Sequence, residues 1–339
     1  MNKNLYQIFF DRFCTLENNI CFDVPGQKNW SYKDVDILSS LFVSYLDSIG
    51  LKKGDRIISQ TEKSVASIGL YLACLRMGVI FTPLNTSYTL SEVEYFIGNI
   101  EPKLFVCSPD NYQATSPIFE KYSVPNHRAL GSSDDDPFLK EILELKENNI
   151  IENCSDDDTA AILFTSGTTG KSKGAMITHG NLSSNAFALK ESWDFTENDT
   201  LLHALPTFHV HGLFVALHTA FLSASKIIFL EKFDIAEINK NLKNSTVMMG
   251  VPTFYSRLIG EKDLNKDLYK RMRLFISGSA PLTEKTFNEF KNKTGHSILE
   301  RYGMTETGMI TSNPLIGDRL EGTVGFPLPG IKIRISNNN

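Results

Sequence analysis

Short apolar runs alternate with helix-length segments along most of this chain, and few folds satisfy that alternation. Arg56 to Gln60 reads as a strand. Ser64 to Met77 reads as a helix that Gly78 stops. Val79 to Pro83 returns to strand, Ser91-Glu92-Val93-Glu94 reads as a capping box opening another helix, and Leu104 to Cys107 is strand again. Such β-α-β-α-β units predict a mostly parallel sheet covered on both faces. The second half repeats the logic. Thr246 to Gly250 is a strand with Pro252 at the first position of a helix. Arg273 to Ser277 is a strand, Pro281 opens a helix that stops at Gly295, and Ser297 to Tyr302 is the next strand. Ile331 to Ile335 alternates and predicts one more. With 339 residues the chain is long for one compact unit, so two α/β lobes are expected. Residues 1–155 form a first subdomain with its linker, 156–325 a second that carries the site, and 326–339 the start of a β subdomain. Residues 131–158 hold two acidic runs, Asp134 to Asp136 and Asp156 to Asp158, which read as solvated surface on a bridge between the lobes.

Charge and cysteine usage narrow the setting. The net charge of −5 supplies no basic field to attract nucleic acid or anionic lipid. No apolar run approaches the roughly 18 residues needed to span a bilayer. Five cysteines without a C-x-x-C pair read as reduced thiols. The N-terminal stretch reads as an amphipathic helix rather than a signal peptide. A cytoplasmic protein without nucleic-acid or membrane partners is expected; the oligomeric state is left open.

The strongest local signal is Phe164-Thr165-Ser166-Gly167-Thr168-Thr169-Gly170-Lys171-Ser172-Lys173-Gly174. It follows an apolar strand, Ala160 to Phe164. Glycines let the backbone fold tightly around an anion, hydroxyls add donors, and Lys171 and Lys173 add charge: the combination a polyphosphate needs. A P-loop would place G-x-x-x-x-G-K-[ST] before a helix. Here Thr165 stands where the first glycine belongs, and Gly174 to Thr178 reads as strand. The loop therefore joins two strands.

A strand–[ST]-S-G-[ST]-[ST]-G-x-x-K-G–strand loop resembles the signature of the adenylate-forming superfamily: acyl-CoA synthetases, luciferases and peptide-synthetase adenylation domains. The match from Thr165 to Gly174 is complete. A second match is Glu300-Arg301-Tyr302-Gly303-Met304-Thr305-Glu306, which resembles the family's Y-G-x-T-E at a strand's carboxyl end, where open α/β sheets gather ligands. Gly278-Ser279-Ala280-Pro281 resembles the family's G-[SA]-A-P segment. The resemblance implies the N-terminal domain of such an enzyme: α/β, two mostly parallel sheets with flanking helices. It implies that Thr165, Ser166, Gly167, Thr168, Thr169, Gly170 and Lys171 hold the β- and γ-phosphates of ATP. It further implies that Tyr302 stacks on adenine in a pocket lined by Gly278, Ser279, Ala280, Glu300 and Gly303, that Thr305 touches the α-phosphate, and that Glu306 holds Mg²⁺. A glycine at 278 would let the backbone lie flat against a planar base.

Pro206-Thr207-Phe208-His209-Val210-His211-Gly212 opens a helix expected to run to about Ser223. His209 and His211 do not share a helix face, and no third ligand sits at metal spacing. Phe208-His209 matches the family's aromatic-His motif, which borders the acyl and phosphate sites. The segments Phe208 to Ala216, Met249 to Tyr255, Phe275 to Leu282 and Leu299 to Thr307 are similar to the malonyl-CoA synthetase branch. That branch implies an acid pocket with His209, His211, Ser277, Arg301 and Met304, and catalytic roles for Thr165, Lys171, His209, Thr305 and Glu306. Fatty acyl-CoA synthetases usually place glycine before the motif tyrosine. Arg301 instead fills that space with a fixed cation, and a guanidinium fork suits the second carboxylate of malonate or methylmalonate. A salt bridge from Arg301 to a neighbour such as Glu300 is the bland alternative.

The implied reaction couples a carboxylic acid to coenzyme A through an acyl-adenylate formed from ATP. Family members also carry a ribose-binding aspartate in [YF]-x-T-G-D and a C-terminal domain with a catalytic lysine. No T-G-D occurs within these 339 residues. A chain lacking that domain, and impaired or inactive alone, is therefore expected. A ligase for another short acid, or a nucleotide- and acid-binding module without turnover, stays open beside it.

Overall fold

The computed structural model describes residues 2–165, 172–261 and 266–336. The chain folds into two compact units: residues 1–19, 30–183 and 207–209 in one, and 20–29, 184–206 and 210–339 in the other. The boundary expected near residue 155 falls instead after Ser183, because the strand Thr159–Thr165 pairs in parallel with Ile80–Pro83 and joins the first unit's sheet.

That sheet runs in the order Asn126–Ala129, Leu104–Cys107, Arg56–Gln60, Ile80–Pro83, Thr159–Thr165, Lys173–Thr178. All neighbours are parallel except the last pair, an antiparallel hairpin with Thr165 opposite Lys173. The helix Val65–Met77 is buried at every position, as a helix apolar all round must be. Ser64 caps its start and Gly78, at φ 62°, closes it in the left-handed conformation that favours glycine. The capping box expected at Ser91 sits two residues earlier. Thr89 accepts from the Glu92 backbone and the helix is Leu90–Ile100. Glu94, the residue expected to complete the box, instead pairs with Lys121. The acidic runs are not uniformly solvated. Asp136 is buried, accepting from the Gly131 and Leu139 amides at the head of the helix Pro137–Leu143, and Asp158 pairs with Lys53.

The second unit's sheet contains Ile20–Asp23, Lys226–Phe229, Thr200–His203, Val247–Gly250, Leu274–Ser277 and Leu299–Met304 in parallel. Gly308–Ser312 and Phe326–Pro327 then continue it antiparallel. Its core gathers Tyr255, Phe275, Leu282, Phe287, Phe290 and Ile298 between sheet and helices. Pro252 opens the helix Pro252–Ile259 as expected. Pro281 does not open one: the next helix is Glu284–Thr294, capped by Thr283. The helix expected from Pro206 begins at His211, and His211–Leu217 is π-helical before the α-helical His218–Ser223. Gly212 permits this, since a Cβ there would lie 2.0 Å from the Pro206 carbonyl oxygen. Residues 331–336 form no strand, because they find no ladder partner among the described residues, and Ile335 is exposed. Among the described residues no helix is long and apolar enough to cross a membrane.

The first unit buries a cation. Arg76 is 1% exposed, donates through Nη2 to Asp36 and to the Tyr6 hydroxyl (3.0 Å), and lies 4.4 Å over the Tyr6 ring. Burial pushes the Tyr6 phenol well up, so it stays neutral and donates to Asp36. Removing one partner of a buried pair leaves an uncompensated charge, whereas replacing the charge by an apolar chain does not. Asp36→Ala should therefore lower the unfolding free energy by about 3 kcal/mol and Arg76→Met by clearly less. Urea titrations followed by circular dichroism measure both; equal losses would show that lost contacts, not a stranded charge, set the cost.

Candidate active site

Three strand ends in the second unit build the site. The register pairs Gly250 with Ser277, and Ser277 with Glu300. Gly278, Ser279 and Ala280 leave the second strand, while Arg301 to Met304 continue the third. A cavity of about 310 Å³ opens there, lined by Ser279, Ala280, Glu300, Arg301, Tyr302 and Gly303, with Pro281, Leu282, Gly322 and Val324 completing the wall. The Tyr302 side chain is 45% exposed, so its ring remains available. Ser279 holds φ 68°, a left-handed conformation costly for a residue with a side chain. Its hydroxyl shares a hydrogen bond with His211 Nδ1 at 3.2 Å.

Arg301 dominates the electrostatics. It is 3% exposed, and no salt bridge to Glu300 or any other acid forms among the described residues. Its Nε and Nη2 have no hydrogen-bond partner among the described residues. Those two nitrogens form one edge of the guanidinium, the side-on fork that takes a carboxylate bidentately. Burial lowers its pKa to about 10, which leaves it cationic at neutral pH. The Ser277 hydroxyl, wholly buried on the neighbouring strand, also lacks a partner among the described residues. Gly278 does meet a planar group, but that group is this guanidinium: a Cβ at 278 would sit 2.4 Å from Arg301 Cζ. Gly278 does not line the cavity, where a base was expected against it.

Glu300 faces inward and serves the backbone. Its Oε1 accepts from the Leu282 amide at 2.8 Å and ties down the turn that leaves Ser277. Burial raises its carboxyl pKa. Thr305 is half-buried and Glu306 exposed, both in the turn between Leu299–Met304 and Gly308–Ser312; Met304 is 44% exposed. Among the described residues no three His, Cys, Asp or Glu side chains cluster as a metal cage. A hard cation at Glu306 would need its other oxygens from phosphates and water, the usual manner of Mg²⁺.

In the first unit, the hairpin Thr159–Thr165 and Lys173–Thr178 confirms that the phosphate-type loop links two strands and not a strand to a helix. Ser166, Gly167, Thr168, Thr169, Gly170 and Lys171 lie outside the described residues. His209 belongs to this unit and is exposed, its ring 4.6 Å from that of Phe208, whereas His211 belongs to the second.

Two residues escaped the sequence reading. Asn185 brackets the Thr305–Glu306 turn, accepting from the Met309 amide at 3.1 Å and donating to its carbonyl at 2.8 Å. Asn313 donates to the Glu300 and Thr323 carbonyls, tying the strand to the loop that supplies Gly322 and Val324. Neither lies in a motif, and Asn185 stands far from its partners in sequence.

Residues 12–339 match the family model described as AMP-binding enzyme. The malonate–CoA ligase of Arabidopsis thaliana is 34% identical over 324 residues, covering 86% of this chain and 52% of that protein. The mitochondrial malonate–CoA ligase of Mus musculus is 33% identical over 318 residues, again covering 86% and 52%. The crystal structure of ATP-bound MatB from Rhodopseudomonas palustris matches with a TM-score of 0.93 at 45% identity, over 97% of this chain and 65% of that one. The chain thus spans about half the length of the curated relatives it matches.

A buried guanidinium with a free fork costs stability, and an apolar chain of similar length removes that cost. Arg301→Met should raise the unfolding free energy by about 1–3 kcal/mol. Urea unfolding of both proteins checks this; a lower midpoint for the variant would mean that Arg301 holds the fold together.

Proposed function

The chain belongs to the AMP-binding enzyme family, and from that premise we propose that it is the acid- and nucleotide-binding part of an ATP-dependent acid–thiol ligase for malonate. One observation carries the choice of acid: Arg301 is buried, cationic, and presents its Nε–Nη2 edge without a partner among the described residues. A monocarboxylic acid has no second charge to place there, whereas malonate and its methyl derivative do. The names of the relatives, malonate–CoA ligases, support the same reading.

The reaction has two halves. One carboxylate of the acid attacks the α-phosphorus of ATP and expels pyrophosphate; the acyl-adenylate then passes its acyl group to the thiol of coenzyme A. Nucleophile and phosphate are both anionic, so positioning and charge neutralisation do most of the work. Arg301 fixes the distal carboxylate and leaves the other free to react, and Ser277 with its buried hydroxyl stays a candidate substrate-binding residue. His211 and Met304 bound the rest of the acid pocket in the second unit, and His209 keeps the catalytic role expected of the aromatic-His motif. Tyr302 offers its exposed ring to adenine, with Ser279, Ala280 and Gly303 as walls and Glu300 shaping them through Leu282. Gly278 is assigned to Arg301 rather than to the base. Thr305 donates to the α-phosphate. The loop from Thr165 through Ser166, Gly167, Thr168, Thr169, Gly170 and Lys171 takes the outer phosphates. Mg²⁺ would supply charge neutralisation on the phosphates, and Glu306 would be its protein ligand.

Two measurements test these assignments. A charged hydrogen-bonded fork contributes about 1.5–3 kcal/mol. Arg301→Met in the full-length protein should therefore lower kcat/KM for malonate about 10- to 150-fold, and that for butyrate far less. Equal losses for both acids would assign Arg301 to structure alone. Calorimetric titration with ATP should show heat that depends on Mg²⁺ and weakens in Glu306→Gln. Binding that ignores both the metal and the substitution would remove Glu306 from the site.

A further inference from the structure

The parallel register sets Ser277 level with Glu300, so Gly278 and Arg301, one step further along their chains, stand side by side. A Cβ built on Gly278 would lie 2.4 Å from Arg301 Cζ and 2.6 Å from both Nε and Nη1. Three atoms of one plane at nearly equal distance mean that the missing side chain points at the face of the guanidinium, not at its edge. The Gly278 backbone covers that face, and the Nε–Nη2 edge stays free in the plane. Gly278 is not at positive φ, so its backbone accepts alanine and the conflict is purely one of space. The conflict has little room to relax. Arg301 is 3% exposed, so little open space surrounds its guanidinium.

We propose that Gly278 is a specificity-determining residue: the absence of a side chain at 278 lets the Arg301 guanidinium lie flat with its fork toward the acid. Selectivity for a dicarboxylic acid then resides in the Gly278–Arg301 pair, not in the arginine alone. This rests on the reading of Arg301 as the counter-ion of the distal carboxylate. A side chain at 278 tilts or expels the guanidinium and dismantles the fork without touching its charge. A lysine at 301 needs no flat floor, because an ammonium is a compact point charge.

The test uses the full-length protein with Gly278→Ala, Arg301→Ala, the double variant, and Gly278→Ala combined with Arg301→Lys. Pyrophosphate release with malonate and with butyrate gives the ratio of the two kcat/KM values. Gly278→Ala should lower the malonate-to-butyrate ratio about tenfold or more, chiefly through the KM for malonate. Added to Arg301→Ala, the same change should alter the ratio by less than about twofold, because the residue it obstructs is already gone. Arg301→Lys should restore part of the ratio in the Gly278→Ala background. If Gly278→Ala folds only when Arg301 is also shortened, the spatial conflict is confirmed directly. An unchanged ratio in Gly278→Ala, or losses that simply multiply in the double variant, would overturn the pairing. An unchanged ratio in Arg301→Ala would instead sink the reading of the acid site itself, whatever Gly278 does.

Discussion

The candidate site depends on the parallel register between Leu274–Ser277 and Leu299–Met304. Ser277 pairs with Glu300, and every consequence follows from that alignment. The residue after Ser277 has no side chain, and the residue after Glu300 has one of the longest. Set level, they fit face to plane, and the guanidinium is carried into a layer where water cannot reach it. A slip of one residue would turn each side chain to the opposite face of its strand, and Arg301 would leave the pocket.

Holding that register is the task of an apolar core, not of polar pairing. Phe275, Tyr255, Phe287, Phe290 and Ile298 are buried around the two strands, and each large side chain contributes on the order of 2 kcal/mol by leaving water. That surplus lets the unit carry features that oppose folding. Among the described residues Arg301 is desolvated without a counter-ion and the Ser277 hydroxyl is buried without a partner, and Ser279 sits at positive φ. Arg76 in the first unit is equally buried, yet it keeps Asp36 beside it. The contrast between these two arginines is that one has an acid beside it and the other has none among the described residues.

Around this strained centre the polar side chains hold backbone. Glu300 reaches Leu282, Asn313 reaches Glu300 and Thr323, Asn185 grips Met309, and Arg319 donates to the Pro314, Leu315 and Ser297 carbonyls. Loops and turns that form no ladder of their own thereby have their amides and carbonyls satisfied. The cavity walls keep a fixed shape even though few residues in them belong to regular structure.

Much of the architecture could be read from the amino-acid sequence because it depends on neighbours in the chain. Ser64 and Gly78 bound a helix by cap chemistry alone. Arg56–Gln60 and Leu104–Cys107 are strands because short apolar runs between turn signals have few other uses. The residues after Gly174 read as strand, which sets the phosphate-type loop apart from a P-loop. Arg301 also stood out by residue type. Tertiary structure decided what depends on residues far apart. Thr89 and Ser91 both offer a capping box with a glutamate three residues on, and Glu94's pairing with Lys121 leaves the cap to Thr89. Pro281 could have opened a helix, but the helix starts three residues later, at Glu284, with Thr283 as its cap. Ile331 to Ile335 has a strand's alternation and no ladder partner among the described residues. Gly278 looked like a floor for a base and became the floor for an arginine. Caps, stops and periodicities act over a few residues and are written locally; register, burial and the identity of a facing plane arise only when distant segments meet.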